Sequence, residues 1–414
     1  MTRQKIFTTT LAALLIACTA FTAPASAQDP AGADSTDNTA NEDAPLPLQA
    51  GRTVSIDTDE GTWISLDVSP DARAIVFDML GDLYTVPIAG GDATLLTNGV
   101  AFDRQPRYSP DGSKVLFISD RSGSDNLWTI DLATGDSTQL TKSTSHVFLS
   151  PEWSPDGKYV VASRADSRLT PAKLWIGHID GGSGAEIVKT PDNVKALGAA
   201  FTPDGRFIWY ARRAGSWSYN AMLPQYQLEA YDRETGERYT RTSRTGSGFR
   251  PTFSPDGKWL VYGTRHDNHT GLRIRDLATG EERWLAYPVQ HDDQESVADL
   301  DVLPGMSFTP DSKELVATYG GKIWRIPIDG SAPVAVPFRV RTQLAIGPLV
   351  EFDYPIEDTR EFTVREIRDA VPSPDGTRLA FSALDRLYIM DWPSGTPRRV
   401  TEMDMIEADP TWSP

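Results

Sequence analysis

Cysteine is nearly absent from this chain: Cys18 is the only one, so no internal disulfide can form, and a large core must hold the fold together. Histidine is scarce too. The five, His146, His178, His266, His269 and His291, include no His-x-His pair. A binuclear metal hydrolase needs such a pair at a strand end, because several imidazoles and a carboxylate must converge to bind the metal and acidify its water. No Gly-x-Ser-x-Gly elbow is present to expose a nucleophilic serine, although 215–219, Gly-Ser-Trp-Ser-Tyr, looks superficially similar. A phosphate-binding glycine loop is also missing, and from Arg52 onward no long stretch keeps helical periodicity. Positive charge is outnumbered: 40 Lys and Arg against 57 Asp and Glu leave a formal net charge of −17, which argues against nucleic acid or an anionic membrane surface as partner.

The ends of the chain differ from its body. Residues 1–27 carry Arg3 and Lys5, an apolar run from Leu11 to Phe21, and Ala25-Ser26-Ala27, the small-x-small pattern of a signal-peptidase site. The expectation is an exported protein, periplasmic or secreted, as in a Gram-negative bacterium. The apolar run is too short to span a bilayer comfortably, so no membrane span is expected. Leu15-Ile16-Ala17-Cys18 also fits a lipoprotein cleavage box, which leaves lipidation of Cys18 as an alternative. Residues 28–50 are rich in Asp, Ala, Thr and Pro and have no basic residue, the composition of a disordered acidic linker.

Residues 51–414 are organised by one repeat. Ser109-Pro110-Asp111-Gly112 returns as Ser154-Pro155-Asp156-Gly157, Thr202-Pro203-Asp204-Gly205, Ser254-Pro255-Asp256-Gly257, Thr309-Pro310-Asp311-Ser312 and Ser373-Pro374-Asp375-Gly376. Ser69-Pro70-Asp71-Ala72 precedes them, and the sequence stops within an eighth copy at Ser413-Pro414. The spacings, 40, 45, 48, 52, 55, 64 and 40 residues, suit one four-stranded propeller blade per copy. Pro pre-sets φ, Asp bonds backbone amides just downstream, and Gly takes the positive φ that closes the turn. Ala72 and Ser312 replace that Gly, so their turns should be strained or of another type. Each turn precedes a short apolar run such as Val115-Leu116-Phe117 or Trp259-Leu260-Val261-Tyr262, as expected of a strand buried on both faces. A third strand with a Leu-Trp or Leu-Tyr pair and a fourth closing strand complete the unit. The fold class is therefore an all-β propeller with about seven four-stranded blades, the last of them complete or cut short.

These residues resemble a known family. Ser-Pro-Asp-Gly, then Ser119-Asp120-Arg121-Ser122-Gly123, then Leu127-Trp128 and Leu140-Thr141, is similar to the TolB-type and tricorn-type propeller repeat. Residues 54–71 and 361–368 more narrowly resemble the propeller that precedes the catalytic barrel of exported amidohydrolase-family proteins. That resemblance implies a non-catalytic propeller that docks on and gates a metal-dependent hydrolase barrel, itself absent from these residues. The barrel would bind a divalent metal such as Zn²⁺, whereas this chain would hold no cofactor. Alternatives are a free-standing interaction module of the cell envelope, or the propeller of a prolyl-oligopeptidase-like serine peptidase. The partner is accordingly a downstream catalytic domain or an envelope protein, and 51–414 reads as a propeller cut short at its C-terminal end.

Candidate sites are few. No catalytic residue is expected. His266 and His269, with His291 nearby, are weak metal candidates in expected loops, and Asp120, Asp125 and Asn126 are a weak Ca²⁺ candidate. The insertions that lengthen the middle repeats fall at 164–173, 212–227, 265–271, 286–304 and 336–362. All are loops between second and third strands or links between blades, which crowd one face of a propeller. Trp217, Tyr219, Tyr226, Tyr287, Phe338 and Tyr354 give that face aromatic content suited to an interface, unless the loops plug the channel. Thr53 to Asp57 reads as a strand awaiting blade partners beyond Pro414, which would leave the ring open.

Overall fold

A computed structural model describes residues 50–213, 223–291, 300–347 and 359–414. The chain divides into two compact units, 1–347 and 348–414. Among the described residues there are seven four-stranded antiparallel sheets and no helix, so none is long and apolar enough to cross a membrane.

Six sheets belong to the first unit, as blades at 66–95, 104–139, 147–188, 195–240, 249–291 and 307–336. Innermost strands pack neighbour to neighbour, and blade 1 packs in turn on blade 6. Leu66 N donates to Gly305 O at 3.1 Å, and Thr318 Oγ1 donates to Ile64 O at 2.7 Å. Six blades thus close the ring. The strand Arg52–Thr58, expected to await partners past Pro414, pairs with Phe338–Ile346 over seven residues, Arg52 opposite Ile346 and Thr58 opposite Val340. Residues 338–346 are therefore strand and not face loop, because Phe338 and Val340 have core to fill beside Phe77 and Val336.

The repeat motif builds each blade's first hairpin. In every copy the Ser or Thr hydroxyl donates to the motif Asp and accepts the amide five residues on. In blade 2, Ser109 Oγ lies 2.6 Å from Asp111 Oδ1, and Lys114 N donates to Ser109 Oγ at 2.9 Å. Asp111 Oδ1 also accepts Ser113 N, and these donors hold its carboxyl down at about 2. Gly112 has φ 72° and stacks on Pro70 of the preceding blade, as Gly157 does on Pro110. Ala72 (φ 59°) and Ser312 (φ 61°) form the same turn with a Cβ in the left-handed region, so they are strained but not of a different type.

The innermost strands of blades 2 to 5 share a bulge, where register shifts by one residue and Gln105, Ser150, Gly198 and Arg250 take φ between 48° and 59°. The core lies between blades. Phe77, Phe117, Phe148, Tyr210, Phe249 and Tyr262 are wholly buried, each removing enough apolar surface to stabilise by about 1.5–3 kcal/mol.

The second unit holds the seventh sheet, 368–399, complete in four strands, with the same bulge at Asp369 (φ 54°). Residues 409–414 lie against it as the innermost strand of a following blade would. Asp409 repeats the positive φ at 51°, and Trp412 Nε1 donates to Val371 O at 2.9 Å. In the first unit Trp153 Nε1 makes the matching bond to Arg107 O, at 3.2 Å.

Candidate functional site

The ring of the first unit has two faces. On one, the six motif turns place Pro70, Pro110, Pro155, Pro203, Pro255 and Pro310 around a 440 Å³ cavity at the mouth of the central channel. The floor is charged. Arg107 Nε lies 3.2 Å from Glu152 Oε2, and Arg107 Nη1 lies 3.5 Å from Asp67 Oδ1 while donating to Leu66 O and Met306 O at 3.1 Å. Burial pushes the Glu152 carboxyl up, against the opposing pull of Arg107.

Farther along the channel, Leu300 and Asp301 stand among the inner strands. Asp301, fully buried, accepts Arg250 Nη1 at 2.8 Å and the Ser150 hydroxyl, and its Oδ1 accepts Val302 N at 2.6 Å. Gly198 is needed there, since a Cβ would stand 2.7 Å from Asp301 Oδ2. Gln105 and Trp63 donate to Leu300 O at 3.0 and 3.2 Å. The bulge residues of four successive blades thus surround Leu300 and Asp301. On the opposite face a 670 Å³ cavity is lined by Trp63, Met79, Leu80, Val289, Pro304 and Tyr319 among others.

The expected interface residues scatter. Trp217, Tyr219 and Tyr354 lie outside the described residues, as does Cys18. Tyr226 is wholly buried in the core with Leu197, Phe249 and Leu303, so it offers no contact surface. Its amide and that of Gln225 donate to Ser247 Oγ. Phe338 is likewise buried. Tyr287 is 38% exposed, packs on Trp284 and donates to His266 O at 2.8 Å.

His266, His269 and His291 sit on strands, not in loops. Trp259–His266 and His269–Asp276 form an extended hairpin closed by Asp267 at φ 51°, with His291 across from His269. The rings of His269 and His291 stack with centroids 5.9 Å apart. Among the described residues no group of three or more His, Cys, Asp or Glu is disposed to hold a metal ion. Asp125 is bound to Arg104 by two hydrogen bonds, of 2.5 and 3.2 Å. Asp120 Oδ1 accepts Phe102 N, and Asn126 bridges to Thr141 and Ser143.

One constellation copies a hydrolytic triad. Ser143 Oγ is 2.6 Å from His146 Nδ1, and His146 Nε2 is 3.4 Å from Asp166 Oδ1. The backbone amides of Ser145 and His146 point at Ser143 Oγ itself, at 3.2 and 2.8 Å. They stabilise a turn, so these two amides are not aimed where an oxyanion would form. Asp166 is 82% exposed and orients the ring weakly.

Sequence reasoning passed over the motif hydroxyls, the bulge residues, Arg107 and Asp301. A signal existed for the bulges: Pro106, Pro151 and Pro251 each stand four residues before the motif Pro.

Comparison with known proteins agrees with this geometry. Residues 67–221 match the family model of the tricorn protease N-terminal beta propeller domain. The crystal structure of the tricorn protease superposes with a TM-score of 0.50 at 16% identity, over 83% of this chain and 32% of that one. The fold is a β-propeller, and residues 67–221 are similar to the tricorn N-terminal propeller. Among curated relatives, the uncharacterized peptidase YuxL of Bacillus subtilis is 27% identical over 38% of this chain and 28% of its own length. The tricorn protease of Thermoplasma volcanium is 28% identical over 44% of this chain and 18% of its own. The chain thus spans well under a third of these two relatives. They are peptidases, and the expected kinship with amidohydrolases finds no support in them.

Proposed function

We propose that this tricorn-type propeller is the non-catalytic part of an exported peptidase-type protein, docking on a catalytic domain and restricting what reaches it. The observation that carries the reading is the match of 67–221 to the tricorn protease N-terminal propeller, together with the similarity to YuxL. The peptidase alternative therefore replaces the amidohydrolase parent. Residues 1–27 support export. The crowded loop face, where Tyr287 is exposed, is the docking side, because long loops on a rigid scaffold present contacts without weakening its core.

Two measurements test this. Purified chain assayed against a peptide library should show no hydrolysis above buffer. Turnover that disappears in Ser143→Ala would make the chain an enzyme in its own right and overturn the reading. On an immunoblot of the source cells, an antibody to residues 51–347 should label a protein well above 45.5 kDa. A species of that mass or smaller as the sole product would contradict a fused catalytic domain.

A further inference from the structure

The strand Arg52–Thr58, which fastens the ring, stands at the edge of a three-stranded sheet. The sheet order is 52–58, 338–346, 91–92, so one edge of 52–58 is paired and the other meets no strand among the described residues. Alternate residues of a strand direct their N–H and C=O groups to opposite sides, which leaves about half of this backbone facing outward. The outermost strands of the blades are sheet edges too, but they are blunted. Six of them run two to four residues, and the ten-residue one, Glu282–His291, contains Pro288 and two register shifts. By contrast, 52–58 keeps one register over seven residues without proline, lysine or bulge. Its single acid, Asp57, accepts Arg339 Nε at 2.6 Å from the paired strand.

A cavity adjoins the open edge. Thr53, Ser55 and Asp57 are exposed while Val54, Ile56 and Thr58 are half-buried, and Ile56 and Thr58 line the 670 Å³ cavity. No residue of 338–346 lines it, so the cavity lies on the unpaired side of the strand. Trp63, Ile64, Met79, Leu80 and Tyr319 give it apolar walls. A strand laid along this edge sets every second side chain on the face that Ile56 and Thr58 share, over the cavity. A row of backbone donors and acceptors at strand spacing is matched in kind by another extended backbone, which sets the class of partner. We infer that 52–58 is a docking edge for an extended peptide segment of another protein, added as a fourth strand with its alternate apolar side chains in the cavity. This goes beyond the peptidase reading and does not rest on it, because edge and cavity belong to the first unit alone.

The probe is the heptapeptide acetyl-Lys-Val-Thr-Val-Thr-Val-Lys amide, with two further forms N-methylated either at the valines or at the threonines. Each methylated form blocks one backbone edge of the peptide and keeps its charge. By calorimetry the full chain should bind the parent peptide at a single saturable site, one methylated form nearly as well, and the other at least tenfold more weakly. Bound peptide should slow amide hydrogen exchange in 52–58. Leu80→Asp, at a cavity wall residue 48% exposed, should weaken the parent peptide at least tenfold with the melting temperature unchanged. If that variant does not fold, the methylated pair still decides. Equal binding of the two methylated forms, slowed exchange only outside 52–58, or no saturable binding would overturn the docking edge, and full binding by folded Leu80→Asp would overturn the role of the cavity. A chain that sediments as a dimer and takes up no peptide would give the edge to a second copy and overturn it as well.

Discussion

Ala72 occupies a position where five of the other six motif copies have glycine, and its φ of 59° shows that the backbone kept the turn and accepted the strain. A left-handed conformation costs a residue with a Cβ roughly 1 kcal/mol more than glycine. Ala72→Gly should therefore stabilise the ring by up to about 1 kcal/mol, less the entropy that glycine adds to the unfolded chain. Urea unfolding measures it, and a loss of stability would show that the turn is not strained. Asp82 holds another residue-scale tension. It is buried, Oδ1 has no hydrogen-bond partner, and neighbouring Asp103 also has an unpartnered Oδ1. Burial, reinforced by the Asp103 charge, raises the Asp82 carboxyl from 3.8 to about 7. A raised acid contributes stability that is complete below about pH 3.8 and is lost as pH rises through 7. Asp82→Asn should accordingly flatten the fall in melting temperature between pH 4 and about 8, and gain most at the alkaline end. A profile parallel to the parent's would place the titration elsewhere.

At the scale of elements, the blades were legible because their information is local. Turn chemistry at Ser-Pro-Asp-Gly and the apolar run after it lie within a dozen residues, and both appear where the spacing put them. Partners distant in sequence were not legible. Nothing near Thr53–Asp57 says that its ladder partner is 341–345, some 290 residues on. Tyr226 was misread for a similar reason: its neighbours in sequence look like a loop, while its neighbours in space, Phe249 and Leu303, come from later repeats. The histidines at 266 and 269 have polar neighbours typical of loops, yet the two-residue turn between them lets both strands of the hairpin run on. Tyr226→Ala should therefore destabilise the isolated ring by about 3–5 kcal/mol, the usual result of emptying a buried aromatic site. A change under about 1 kcal/mol would show that the side chain packs at a surface.

For the whole molecule, the repeats foretold seven sheets but not that six would close on themselves. Closure depends on contacts between residues 61–66 and 305–321, which no repeat-by-repeat count contains. The Arg52–Thr58 and Phe338–Ile346 pairing then fastens the two ends of the ring with one antiparallel ladder. The cavity at the mouth of the channel follows from closure as well, since its rim prolines, Pro70 to Pro310, come one from each of the six blades. The most direct measurement of this account is the thermal unfolding of residues 51–347 expressed alone, compared with the full chain by calorimetry. Closure within these residues predicts one cooperative transition within a few degrees of the full chain's main transition. An unfolded fragment, or one that melts far below the full chain, would contradict a ring complete at six blades.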